Sequence, residues 1–222
     1  ESSQTEVAGL VVANINSTYL VLTSSSLLEP GMNYIVRLSD EVQTKAAFVC
    51  RNTASGIGIV SINASKLTAE QRNSIAVAQL DNSYMVNQGD LVIASGKLYE
   101  TSKGVSYGTI AGSKVEYSKD SGYEVFETSV SITAGGFAIL FNSEGNVVGV
   151  SKASTDTSTK FIGISDLKAQ IETMINEHGI MYCGITGQNV TEELAAKYGL
   201  PSGVYISNVD IDSPAYYAGL QA

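Results

Sequence analysis

Cleaving a peptide bond takes an activated hydroxyl or thiol with a proton acceptor beside it. The sequence offers many hydroxyls and few acceptors: one histidine, His178, and two cysteines, Cys50 and Cys183. His178 falls in the last turn of a helical stretch, where the helix dipole favours a cation, and reads as structural. The cysteines have no close partner with the spacing of a zinc site, so no metal or other cofactor is expected. Whether they pair or stay as two small buried thiols is open. Ser95-Gly96-Lys97 contains a serine and a lysine but reads as a turn after a strand. Asp210 and Asp212 alternate as a metal pair might, yet read as a solvated turn. No Gly-x-Ser-x-Gly elbow or phosphate loop occurs.

The elements that must position any such chemistry centre on residues 134–150. Residues 138–141 are an apolar run, Asn142-Ser143-Glu144-Gly145 is turn chemistry, and residues 147–150 are a second apolar run. The pattern predicts a hairpin. Ala134-Gly135-Gly136 in front of it lets the backbone turn tightly. Further strands are predicted over residues 7–12, 19–22, 34–38, 46–49, 55–62, 76–80, 91–96, 107–112 and 124–131. Residues 151–160 read as a polar surface loop. Ser165 reads as the cap of a helix carrying Leu167, Ile171, Met174 and Ile175 as its apolar stripe, ended by Gly179.

Composition agrees with a β-rich globular protein: 44% hydrophobic, 16% charged, 21 Gly, 12 Tyr and no Trp. The net charge of −9 and the lack of a basic cluster argue against nucleic-acid binding. No apolar run reaches the ~18–20 residues of a membrane span. No signal peptide opens the chain, and residues 1–6 read as a polar linker.

Residues 134–150 resemble the segment of HtrA/Deg-type, trypsin-like serine proteases that runs from the nucleophile loop into an Asn-x-x-Gly turn and a Val-Val-Gly-Val strand. Matched through Asn142, Gly145 and Gly149, the nucleophile position falls on Gly136, or on Phe137 if the match slides by one. Val21-Leu22-Thr23 resembles the approach to the family's histidine, whose position is Ser26. The segment from Ser55 to Ile62 resembles the strand that carries the family's aspartate, whose position is Gly56. Met181-Tyr182-Cys183-Gly184-Ile185, together with Gly199-Leu200-Pro201 and Ser213-Pro214-Ala215, resembles the opening of an HtrA-type PDZ domain. That match implies peptide binding at Tyr182, Cys183, Gly184 and Ile185.

The resemblance implies a mostly β, trypsin-like double β-barrel over residues 7–163, with barrels at about 7–80 and 88–162. A connecting helix at 164–180 and the first half of an α+β PDZ domain at 181–222 follow. With Ser26, Gly56 and Gly136 at the triad positions, it implies a protein that is not an enzyme, a pseudoprotease. Such a protein would bind peptides or unfolded segments at the cell surface, alone, as a homo-oligomer, or beside an active protease relative. An extracytoplasmic location with a preceding N-terminal membrane anchor goes with it. The alternative is an active trypsin-like serine endopeptidase of protein quality control, its triad built from other residues.

Overall fold

The structure is a computed structural model that describes residues 5–38, 42–99, 103–118, 121–152, 156–176, 185–209 and 214–221. The chain divides into two compact units, residues 1–116 with 123–180, and residues 117–122 with 181–222.

The first unit opens with β1 (Gly9–Ile15), β2 (Thr18–Ser24), β3 (Tyr34–Arg37), β4 (Gln43–Asn52) and β5 (Ile57–Asn63), which hydrogen-bond in the order β1-β2-β5-β4-β3. Asn16 and Ser17 both take positive φ in the two-residue turn between β1 and β2. This is the geometry that matches a hairpin's right-handed twist. Strands β2 and β5 are central and buried on both faces, and their side chains divide cleanly by alternation. Leu20, Leu22, Ile57 and Ile59 point into one core, and Tyr19, Val21, Val60 and Ile62 into another.

A short capped helix, α1 (Ala69–Asn73), leads to an extended crossing segment. Here the sequence reading is corrected: residues 76–80 form no strand, only a single bridge from Leu80 to Val147. Their backbone groups are divided between two neighbours. The Ala78 N–H donates to Val11 O, and the Val147 N–H donates to Gln79 O.

Six strands then close a barrel: β6 (Leu91–Lys97), β7 (Gly104–Ser118), β8 (Ser121–Ile132), β9 (Phe137–Phe141), β10 (Val147–Ser151) and β11 (Ser158–Gly163). Their order around it is β10-β11-β8-β7-β6-β9. β11 starts inside the run expected to be a loop. Its polar residues fit a strand because Lys160 lies opposite Glu127 and Ser158 opposite Ile132. The barrel interior holds Val92, Ala94, Leu98, Ile110, Phe126, Ala138, Leu140 and Phe161. The alternate residues Phe137, Ile139, Val150 and Ile162 face outward into the core shared with β1, β2 and β5. Each fully buried Phe, Ile or Leu contributes on the order of 1.5–3 kcal/mol, so this shared core binds sheet and barrel into one unit.

Helix α2 (Ile164–Ile175) closes that core with Leu167, Ile171 and Met174. Its start differs from expectation. Gly163 is the N-cap and gives no side-chain bond. Ser165 lies inside the first turn, where the hydroxyl of Ser83 accepts from the Ser165 N–H at 3.0 Å and the hydroxyl of Ser165 accepts from the Ser83 N–H at 2.8 Å. A loop distant in sequence thus does the capping that a local residue was expected to do.

The second unit has β12 (Ile185–Asn189) paired antiparallel with β13 (Val204–Val209). It also has α3 (Glu192–Tyr198), capped by Thr191 at one end and left-handed Gly199 at the other, and α4 (Pro214–Tyr217). Among the described residues no helix is long and apolar enough to cross a membrane. The mostly β, trypsin-like architecture expected from sequence is the one observed, with the second expected barrel present as the closed six-stranded barrel and the first as a five-stranded sheet.

Candidate functional site

Ser26 lies in a single 3-10 turn, Ser25–Leu27, that follows β2 directly. The Oγ atoms of Ser24 and Ser26 are 2.8 Å apart and share a hydrogen bond. The Ser24 hydroxyl also caps the turn by accepting from the Ser26 N–H at 3.4 Å. Ser24 and Ser25 are buried, whereas Ser26 is exposed. The run Thr23-Ser24-Ser25-Ser26 forms this turn because a serine side chain can satisfy the turn's free backbone donors.

Gly56 closes the turn between β4 and β5 with φ +76°, a left-handed conformation that suits glycine. Asn52 organises the turn: its side-chain oxygen accepts from the N–H groups of Ala54 at 2.8 Å and Ser55 at 3.3 Å. The Ser25 N–H donates to Gly56 O at 3.0 Å, and Ser24 pairs with Ile57 across β2 and β5. The structure therefore brings the Ser26 turn and Gly56 side by side. The buried Ser55 hydroxyl beside them has no hydrogen-bond partner among the described residues.

Gly136 ends the loop between β8 and β9. The Thr133 N–H donates to Leu98 O at 2.8 Å, and the Gly136 N–H donates to Thr133 O at 2.9 Å. A Cβ at Gly136 would lie 2.4 Å from Lys97 O, 2.6 Å from Ile132 Cγ2 and 2.9 Å from Thr133 O. The loop is thus built around a residue without a side chain. Phe137, the position reached by sliding the match, is buried at 1% exposure. Phe137, next to Gly136, and Ile57, next to Gly56, lie in the same core.

Two supports, one of the start of β9 and one of the β9–β10 turn, were not legible in sequence. The buried Ser151 hydroxyl accepts from the Ala138 N–H at 3.0 Å, fixing the start of β9. Asp81 accepts from the Asn142 side-chain amide at 2.7 Å. Asn142 itself accepts from the N–H groups of Glu144 and Asn146 at 3.0 and 2.9 Å. The Asn-Ser-Glu-Gly turn signalled the second support only in part, because Asp81 comes from the crossing segment.

Of the PDZ-type positions, Tyr182, Cys183 and Gly184 lie outside the described residues, as do His178, Gly179, Asp210 and Asp212. Ile185 is the first residue of β12, opposite Val209. Cys50 is half-buried and its thiol donates to Met174 O at 3.6 Å; burial pushes its pKa up. Among the described residues no group of three or more His, Cys, Asp or Glu side chains could hold a metal ion.

Comparison with known proteins places this geometry. The profile of the Trypsin-like peptidase domain matches residues 8–150. A probable periplasmic serine endoprotease, DegP-like, of Pseudomonas savastanoi pv. phaseolicola is 26% identical over 212 residues, 90% of this chain and 43% of the relative. A protein of the same name from Pseudomonas putida is 26% identical over 218 residues, 93% of this chain and 44% of the relative. The chain thus spans less than half the length of these relatives. Among solved structures, the HtrA-type protease AlgW with decapeptide aligns with a TM-score of 0.69 at 20% identity, over 96% of this chain and 66% of that one. The serine endoprotease from Yersinia pestis aligns with a TM-score of 0.64 at 20% identity, over 96% and 69%.

These findings correct one expectation. The chain was expected not to be an enzyme, yet relatives spanning nine-tenths of it are named serine endoproteases. That expectation rested on residue types at three positions of a remote match. Such matches fix strands better than loops, because strand register is held by two-residue alternation and loop length is not.

Proposed function

The chain belongs to the trypsin-like peptidase domain family, and from that premise we propose that it acts on polypeptides outside the cytoplasm as a serine-endoprotease relative of the HtrA/DegP type. The observation that carries this reading is the family match over residues 8–150, which runs through the sheet and the barrel strands from β6 into β10 and includes the three positions Ser26, Gly56 and Gly136. The name of the relatives, periplasmic serine endoprotease, favours the compartment and the substrate class. A solved HtrA-type structure with a bound decapeptide favours peptide as the ligand.

Endoproteolysis is the reaction those names supply. It needs a hydroxyl and a proton acceptor within hydrogen-bond reach. Ser24 and Ser26 supply paired hydroxyls at the histidine position. The sequence's one imidazole is His178, so an acceptor is either that residue or a group of another type. Capture of a peptide needs no acceptor, and the second unit is proposed to serve it as a PDZ-type element. The stretch Tyr182, Cys183, Gly184 and Ile185 would bind the peptide carboxylate, and the peptide would add as a strand beside it. Pairing with an active relative or with further copies of this chain fits the same role.

The test joins both halves. Unfolded casein is incubated with the protein and an endoprotease relative in parallel, with a serine-reactive phosphonate as label and casein binding followed by fluorescence anisotropy. Cleavage with labelling identifies the nucleophile and supports endoproteolysis. Binding alone supports polypeptide capture. A protein that neither binds nor cleaves casein or short peptides overturns the proposal.

A further inference from the structure

One charged cluster lies apart from the triad positions. Lys114 and Glu116 are two residues apart on the same face of β7, Lys160 is on β11, and Lys152 follows β10. Lys114 Nζ and Lys160 Nζ each lie 3.0 Å from Glu116 Oε1, and Lys152 pairs with Glu116 Oε2. The Lys152 N–H donates to Lys160 O at 3.0 Å, which holds these two lysines side by side. Glu127, opposite Lys160 on β8, adds a weaker attraction for Lys114. Among the described residues of this cluster three lysines face Glu116 and Glu127, on a chain whose net charge is −9.

Exposure gives the cluster a direction. The Glu116 side chain is 20% exposed, against 58%, 40% and 37% for Lys114, Lys152 and Lys160. The Glu116 side chain is thus the most covered of the four, and the three lysine side chains are the part of the cluster open to solvent. Glu116 shows what the cradle holds: a carboxylate, bound by an ammonium group of its own strand and by two from residues 152 and 160.

We propose that Lys114, Lys152 and Lys160 form a docking site for an acidic side chain of a bound polypeptide, with Glu116 as the internal occupant that the incoming carboxylate joins or displaces. This inference rests on the reading of the chain as a protein that acts on polypeptides, and adds a preference for segments carrying Asp or Glu. On an otherwise acidic protein, this is where such a segment would escape repulsion.

The test uses the intact chain and two labelled peptides that differ only in Glu against Gln, followed by fluorescence anisotropy at low ionic strength. The wild type is expected to prefer the Glu peptide by about two- to five-fold, the range of an exposed charge pair. Glu116→Gln removes the competing carboxylate and is expected to widen that preference by a similar factor. Lys152→Gln with Lys160→Gln is expected to abolish it, leaving Gln-peptide binding unchanged. Should Glu116→Gln fail to fold, the lysine pair, at half-exposed positions, carries the test alone. An unchanged or narrower preference in folded Glu116→Gln, or one that survives the lysine replacements, overturns the site. A wild type that binds the Gln peptide without preferring Glu overturns the site but not the polypeptide reading. One that binds neither peptide overturns both.

Discussion

Gly136→Ser places a hydroxyl where the family match puts the nucleophile, and the structure gives the cost. The added Cβ meets two backbone oxygens, of Lys97 at 2.4 Å and Thr133 at 2.9 Å, and the Ile132 side chain at 2.6 Å. Favourable contact between non-bonded carbons begins at about 3.5 Å, so each neighbour must retreat. Backbone atoms of β6 cannot do so freely, because Lys97 is paired with Phe137 in the barrel ladder. Overpacking of this kind costs about 1–3 kcal/mol. For a domain of this size each kcal/mol lowers Tm by about 2–4 °C. The assay is urea denaturation followed by circular dichroism, with exposed Ala134→Ser as the control that should stay within about 0.5 kcal/mol of wild type. If Gly136→Ser unfolds at the wild-type midpoint, the loop has room for a side chain at this position and the close packing described above is wrong.

Three further outcomes follow from the same structure. The lysines around Glu116, Lys152 first, lower its carboxyl pKa from 4.5 to about 2. A depressed folded-state pKa adds stability that is present above the unfolded value and lost as pH falls through the folded one. The Tm advantage of wild type over Glu116→Gln should therefore be full above about pH 5 and shrink as pH falls, disappearing only below about pH 2, and a difference independent of pH refutes the ion-pair account. Ser151→Ala strands the buried Ala138 N–H and should cost about 1–3 kcal/mol in urea denaturation; a cost below the error of the method would mean that water replaces the hydroxyl. In a Cys183→Ser background, burial that raises the Cys50 pKa should slow its alkylation by iodoacetamide relative to the unfolded chain, and equal rates in the two states would show an accessible thiolate.

How far the sequence revealed all this depends on the range of the interactions concerned. The hairpin at 134–150 was legible because its signals are local: two apolar runs around Asn-Ser-Glu-Gly, appearing as β9, the turn and β10. The helix over 164–175 was legible for the same reason, through its stripe of Leu167, Ile171 and Met174. What was misread depended on partners far along the chain. Residues 76–80 look like a strand but divide their bonds between Val11 and Val147. Ser165 looks like a cap, yet Ser83 caps it from another loop. At the candidate site, the serine run signalled a turn, but not that Ser25 would bond Gly56. That contact exists because β2 and β5 are neighbours, although more than thirty residues separate them in sequence. The charged cradle at Glu116 was only partly visible: Lys114 is its neighbour on β7, but Lys152 and Lys160 reach it only because the barrel brings β10 and β11 to the same side. The same limit applies to the catalytic reading. A triad is an arrangement of residues distant in sequence, so the residue types at three matched positions describe those positions and not every hydroxyl and acceptor that folding can bring together. The phosphonate label answers that question directly, because it reports a reacting serine whatever its place in the sequence.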